Sequence, residues 1–255
     1  TTGEPLPNVL GTSVPKENVA DLKTEGWEIT LGWKDRFKLG SKPFDYQFGF
    51  NLADSRAYIT KFRNTTGTLS SNYEGKEIGE IWGYTTLGFF TSQEDIDNHA
   101  DQSKLASYAS SRPIAPGDLK FADLDGDGEV YRGANTLDDH GDLRVIGNSR
   151  SRFTYGFTAG GNWNGFDLSL FLQGVGKKDY NPSGDLYFWG VYAQPWTNIT
   201  KGNYYDRWTE ENPDGYFPRL KGYVAESSSK EAGLAQTRYL QDASYIRLKN
   251  LTFGY

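Results

Sequence analysis

The 255-residue chain contains no cysteine, which excludes a disulfide framework and thiol chemistry. Histidine is scarce: His99 and His140 are too few for a multi-histidine metal site within one chain. Positive charge is in deficit, 27 Lys and Arg against 33 Asp and Glu for a net charge of −6. That argues against nucleic acid, a polyanion that calls for a basic face. No stretch approaches the ~20 apolar residues of a membrane helix. β-Barrels stay open, because their strands alternate and escape hydropathy averages. The opening "TTGEPLPNVL" has neither the basic start nor the apolar run of a signal peptide. Methionine is absent throughout, position 1 included. The expectation is a mature end or a cut inside a longer protein.

Aromatics are plentiful, at 15% of the chain, and favour strands and half-wet surfaces. "GWEITLGWKDRF" (26–37) alternates, with Trp27, Ile29, Leu31 and Trp33 against Glu28, Thr30, Gly32 and Lys34. "FDYQFGFNL" (44–52) does the same, with Phe44, Tyr46, Phe48 and Phe50 against Asp45, Gln47, Gly49 and Asn51. A second hairpin joins residues 152–163 to 166–176 through Asn164-Gly165, a strong hairpin-turn signal. It sets Phe153, Tyr155, Phe157 and Ala159 on one face of its first strand. The second strand sets Phe166, Leu168, Leu170 and Leu172 opposite Asp167, Ser169, Phe171 and Gln173. In the last strand, "YIRLKNLTFGY", the apolar phase slips from even (Ile246, Leu248) to odd (Leu251, Phe253, Tyr255) near Asn250, as a bulge would cause. Trp27, Trp33 and Trp163 are expected near strand ends, where aromatic girdles lie.

Periodicity alone fits a soluble sandwich as well as a barrel. Connection length separates them: two short turns alternate with two long connections, about 58–151 and about 178–243. This is the asymmetry of an outer-membrane barrel and uncommon in a compact soluble domain. In a barrel, Glu28, Lys34, Asp45, Gln47, Asp167 and Gln173 would face the lumen. Within the long connections, Thr91 with Glu94 reads as a capping box for a short helix. A second helix is expected between Ser183 and Pro195.

The ordered blocks "GEIWGYTTLGFF", "PGDLKFADLDGDGEV", "DLRVIGNSRSRFTYGF", "FDLSLFLQGVGKKDYN", "YYDRWTEENPDGYFPRL" and "YLQDASYIRLKNLTFGY" resemble the C-terminal part of SusC/RagA-like TonB-dependent transporters of the Gram-negative outer membrane. The chain departs from the family pattern at Asp142-Leu143-Arg144, where Asp-Arg usually stands directly before Ile-Gly, and in a longer stretch from Glu129 to Asp142. The resemblance implies an all-β fold: about five antiparallel transmembrane strands of a barrel of about 22, with long extracellular loops containing short helices. Residues 1–255 would then be a fragment of the barrel domain, without the plug and remaining strands. It implies import of oligosaccharides or peptides, a SusD-like surface lipoprotein as lid, and energy from the TonB complex through regions absent here. The alternative is a soluble, secreted β-sandwich that binds calcium and carbohydrate.

"FADLDGDGEVYRG" (121–133) places Asp123, Asp125, Asp127 and Gly128 at positions 1, 3, 5 and 6 of a calcium loop, with the Glu129 carbonyl at position 7. Position 12 is Ala134, which cannot be the bidentate ligand; Asp138, Asp139 or Asp142 could swing in instead, and Asp142 completes the expected set. The expected ion is a structural Ca2+ clasping a long loop. The plain alternative is an Asp/Gly-rich turn that binds nothing. Among the crowded loop aromatics, Trp189, Trp196 and Trp208 are candidates for contacting substrate or a partner, although most such rings should form the loop's own small core. Glu210, Glu211 and Asp214 read as solvated loop charges. No local pattern singles out a catalytic carboxylate pair, so no enzymatic activity is expected. His140 reads as a surface residue.

Overall fold

The computed structural model describes residues 20–105, 113–182, 200–220 and 234–255. Five long strands form one antiparallel sheet. They are β1 (Ala20–Leu39) and β2 (Lys42–Phe62), then, beyond the first connection, β7 (Arg152–Trp163) and β8 (Phe166–Lys177), and finally β11 (Tyr245–Gly254). The order is β1-β2-β7-β8-β11. The first connection carries β3 (Glu80–Gly83), β4 (Thr86–Phe89), α1 (Gln93–Asp97), β5 (Leu119–Phe121) and β6 (Arg144–Asn148). The second carries β9 (Asp179–Tyr180), α2 (Lys201–Tyr205) and β10 (Gln241–Asp242). No described helix is long and apolar enough to cross a membrane.

Register converts the alternation of each strand into two continuous faces. Ile29, Leu31 and Trp33 stand opposite Leu52, Phe50 and Phe48. Phe50 and Phe48 stand opposite Phe157 and Ala159, and these opposite Leu172 and Leu170. Leu248 and Leu251 complete the row. The phase slip is the expected bulge: Leu248 pairs with Leu172 and Asn250 with Phe171, leaving Lys249 extra. That one residue returns Leu251 and Phe253 to the apolar face.

Among the described residues no second sheet covers this face, and Leu31, Trp33, Leu168, Leu248 and Phe253 are more than half exposed. A sandwich would bury them. From Trp27 to Phe37 is ten steps of about 3.3 Å. At a tilt of about 40° this gives roughly 25 Å of height, the apolar band of an outer-membrane barrel. Around the short turns a girdle of rings closes the band: Phe37 and Phe44 at 5.1 Å, Tyr46 and Phe48 at 5.7 Å, Phe166 and Tyr255 at 4.6 Å.

Four expectations need correction. β1 and β2 run well past 26–37 and 44–52, so Trp27 and Trp33 lie inside β1 rather than near its ends; Trp163 does end β7. Phe153 has φ 52°, outside the β region although it stands within β7, so regular alternation begins only beyond it. The cap of α1 is Ser92, whose Oγ accepts from the Asp95 N–H at 3.1 Å; Thr91 sits one residue earlier and donates to Asp95 instead. The short helix α2, capped by Thr200, was not foreseen. The helix expected between Ser183 and Pro195 lies outside the described residues.

The buried core lies in the connections rather than in the sheet. Leu69, Tyr73, Tyr84, Leu105, Leu119, Phe121, Val130 and Leu143 from the first pack with Tyr239 from the second. Phe121 and Leu119 are wholly buried, and each such side chain contributes roughly 1.5–3 kcal/mol. A sheet whose apolar side meets lipid needs no such core. Loops standing in water do.

Candidate functional site

At the long-loop end the chain brings together an acidic cluster and a clasp between the two connections, and the polar face of the sheet runs from there toward the short turns. The acidic cluster unites Asp123, Asp125 and Asp142, each offering a carboxylate oxygen within 4.8 Å of the others. Asp123 is oriented by its own turn, accepting from the Gly126 N–H at 2.6 Å and the Gly128 N–H at 3.0 Å. Gly128 has φ +85°, the left-handed bend that this position was expected to need. Asp142 arrives from beyond the loop, wholly buried, and accepts from the Leu124 N–H at 2.6 Å and the Tyr131 N–H at 2.9 Å. Donation from Gly126 holds the Asp123 carboxyl below its ordinary range, whereas desolvation, with the neighbouring Asp142, Asp127 and Asp123 charges, raises that of Asp125.

Three carboxylates so placed suit a hard cation that takes oxygen ligands. Of the other expected ligands, Asp127 accepts from the Glu129 N–H at 2.8 Å and stands outside the cluster. The Glu129 carboxylate pairs with Lys104, which leaves its carbonyl as the expected donor atom. Of the acids weighed to close the sphere, Asp139 turns to the Ala134 N–H at 2.9 Å, and Asp142 is the one that reaches the cluster. His140 is half-buried against Trp82, ring centroids 5.4 Å apart, with Arg144 at 2.9 Å from its Nδ1.

The clasp is built on "PGD" of the first connection. Gly117, at φ +89°, presents a bare Cα to the Trp208 indole, which occupies the place of any side chain there. Trp208 is therefore buried against backbone, and its Nε1 finds no acceptor among the described residues. Trp189 and Trp196 lie outside the described residues. Asp118, wholly buried, accepts from Arg219 Nε at 2.6 Å and Nη2 at 3.2 Å, and the Arg219 N–H returns to the Gly117 carbonyl at 3.0 Å. Tyr239 and Gln236 carry the second connection into the first: Tyr239 packs in the buried cluster of Leu119 and Phe121, and Gln236 Oε1 accepts from Thr86 at 3.2 Å. No sequence motif announced Gln236 or Arg219 as partners, because nothing local marks a contact 101 or 150 residues away.

On the polar side of the sheet, Arg36 and Asp45 pair at 2.5 Å, and Lys34 and Gln47 face Asn162 and Asp167 across a shallow groove. Thr158 and Asn51 side chains lie over Gly49 and Gly156. Small residues beneath polar ones keep this face low and wet, as a lumen wall requires.

No family model matches the chain. TonB-dependent receptor P3 of Formosa agariphila is 27% identical over 98% of this chain and 23% of its own length. TonB-dependent receptor P39 of the same organism is 25% identical over 98% of this chain and 25% of its own length. The chain thus spans about a quarter of the curated relatives it matches. Among solved structures, the RagAB peptide transporter matches with TM-score 0.57 and 18% identity, over 98% of this chain and 24% of that one. The RagAB peptide importer in its "closed-closed" state matches with TM-score 0.59 at the same coverage. The chain is thus similar in sequence to TonB-dependent receptors along nearly all its length and in fold to about a quarter of a RagAB transporter chain.

Proposed function

We propose that this chain is part of an outer-membrane TonB-dependent transporter that imports oligosaccharides or peptides beneath a SusD-like surface lipoprotein. The observation that carries this is a single sheet with an uncovered apolar band of roughly 25 Å, an aromatic girdle at its short-turn end and a folded loop cap at the other. Likeness to TonB-dependent receptors over 98% of the chain supports it. In this reading the polar face lines the passage. The cap, stapled by Asp118 and Arg219, shapes the mouth, and Asp123, Asp125 and Asp142 hold a structural Ca2+ that ties the first connection together. The segment carries no catalysis.

The test uses the full-length protein in its host. It should fractionate with the outer membrane, and deletion of its gene should abolish energised uptake of either a labelled oligosaccharide pool or a labelled peptide pool. Purified protein that stays monodisperse without detergent, or uptake of both pools unchanged by the deletion, overturns the reading.

A further inference from the structure

Just beyond the outward apolar band, where β2 outruns β7, the lead into β7 folds into a basic cradle. Arg56, Arg150, Arg152 and Lys178 line a pocket of about 430 Å³ with Ser55, Ser149 and Ser151. The cradle is built rather than draped. Ser149 donates to the Gly79 carbonyl through its N–H at 2.8 Å and its Oγ at 3.1 Å. The Arg150 N–H donates to Asn148 Oδ1 at 2.8 Å, and the Arg150 stem crosses Gly79, its Cγ 2.6 Å from where a Cβ would stand.

The charges do not balance. Arg152 takes both carboxylate oxygens of Asp54. Glu77 is shared between Arg152 at 3.9 Å and Arg56 at 4.0 Å. Glu25, opposite Arg56, is taken by Lys23 at 2.5 Å. Arg150 and Lys178 have no carboxylate partner among the described residues, so two positive charges remain. Arg56 shares its side of β2 with Asp54, which stands opposite Trp27 at the margin of the band. The pocket therefore opens at headgroup height on the long-loop side.

We propose that this cradle binds the phosphate of an anionic glycolipid in the outer leaflet. The inference rests on the outer-membrane reading above. A phosphomonoester carries about −1.5 to −2 charges at pH 7, which matches the two unpaired cations. The Arg150 fork and the Ser151 hydroxyl can donate to its oxygens. A protein partner would have to reach down to the bilayer surface to occupy the same pocket.

The test is the thermal midpoint of full-length protein in detergent, titrated with monophosphoryl lipid A, with the same lipid dephosphorylated, and with inorganic phosphate. The phosphorylated lipid should raise the midpoint saturably, and the other two should not. In Arg150→Ala/Lys178→Ala, which removes two side chains with no ion-pair partner, the half-saturating lipid concentration should rise roughly ten-fold or more. Lys178→Arg should retain the response. Four results overturn the proposal: an equal shift with dephosphorylated lipid, an equal shift with inorganic phosphate at the same concentration, an unchanged response in the double variant, or loss of a co-purifying surface lipoprotein from that variant while its lipid response persists. Failure of the transporter reading would appear separately, as absence of the protein from the outer-membrane fraction.

Discussion

Arg219→Ala should unfasten the two long connections from each other while leaving the sheet intact. Asp118 is wholly buried and Arg219 about one third exposed, so the pair lies between a surface ion pair worth about 0–1 kcal/mol and a buried one whose breakage costs about 3–5 kcal/mol. The bidentate geometry, 2.6 and 3.2 Å, and the charge left stranded on Asp118 favour the upper part of that range. The exposure of Arg219 lowers it, giving about 2–3 kcal/mol of local opening free energy. The assay is native-state hydrogen exchange on full-length protein. The amides of Phe90, Gly117 and Trp208, which bond within each connection on the two sides of this junction, should exchange about 30- to 150-fold faster, since about 1.4 kcal/mol is ten-fold. Amides of β7 and β8 should not change. Asp118→Asn/Arg219→Ala should lose less than the single variant, because no charge is then left buried and unpaired. Exchange in Arg219→Ala within two-fold of wild type at all three positions would refute the assignment of this pair as the fastening.

Three further outcomes follow from the same geometry. Leu31→Arg, near the middle of the apolar band, should lower barrel stability by about 2–4 kcal/mol in urea unfolding from vesicles, whereas Thr30→Arg on the opposite face should be tolerated; equal losses would mean the faces are assigned the wrong way round. Calorimetry with Ca2+ should show binding to wild type and none to Asp125→Ala. Asp142→Ala should also loosen residues 124–131 without calcium, because its carboxylate satisfies two backbone N–H groups. The hydrogen bond and charge of Lys120 hold the Asp95 carboxyl below its ordinary range, so its stabilisation of α1 is fully present above the unfolded value of about 3.9 and is lost as pH falls through the lower folded value. The thermal midpoint difference between wild type and Asp95→Asn should be constant above about pH 5 and shrink below pH 4; a pH-independent difference would refute the pairing.

The barrel face was legible in the sequence because a period of two, imposed by lipid on one side and water on the other, leaves a one-dimensional signature in Ile29, Leu31 and Trp33 and again in Phe166, Leu168 and Leu170. The bulge at Lys249 could be read for the same reason: only an extra residue reconciles Leu248 with Leu251. The upper part of β2 was not legible. Residues such as Arg56, Tyr58 and Ile59 lie beyond the apolar band, and there the loop rather than the solvent decides which side is buried. The acidic loop was found by its spacing, but the choice of Asp142 over Asp139 depends on where the chain returns after Gly133. The clasp of Gly117, Asp118, Trp208 and Arg219 joins residues about a hundred positions apart, and no periodicity reaches that far.

The height of β2 carries a risk that its own loop removes. Pairing with β7 stops at Ala53, so nine further residues of β2 would present an open edge. Lys76 and Ile78 fold back on it: the Ile59 N–H donates to the Lys76 carbonyl at 3.0 Å and the Ile78 N–H to the Ala57 carbonyl at 2.8 Å. Unsatisfied strand edges are templates for another chain. By sealing this one with a segment from the same connection, the molecule leaves that length of its tallest strand no free ladder for another chain to extend.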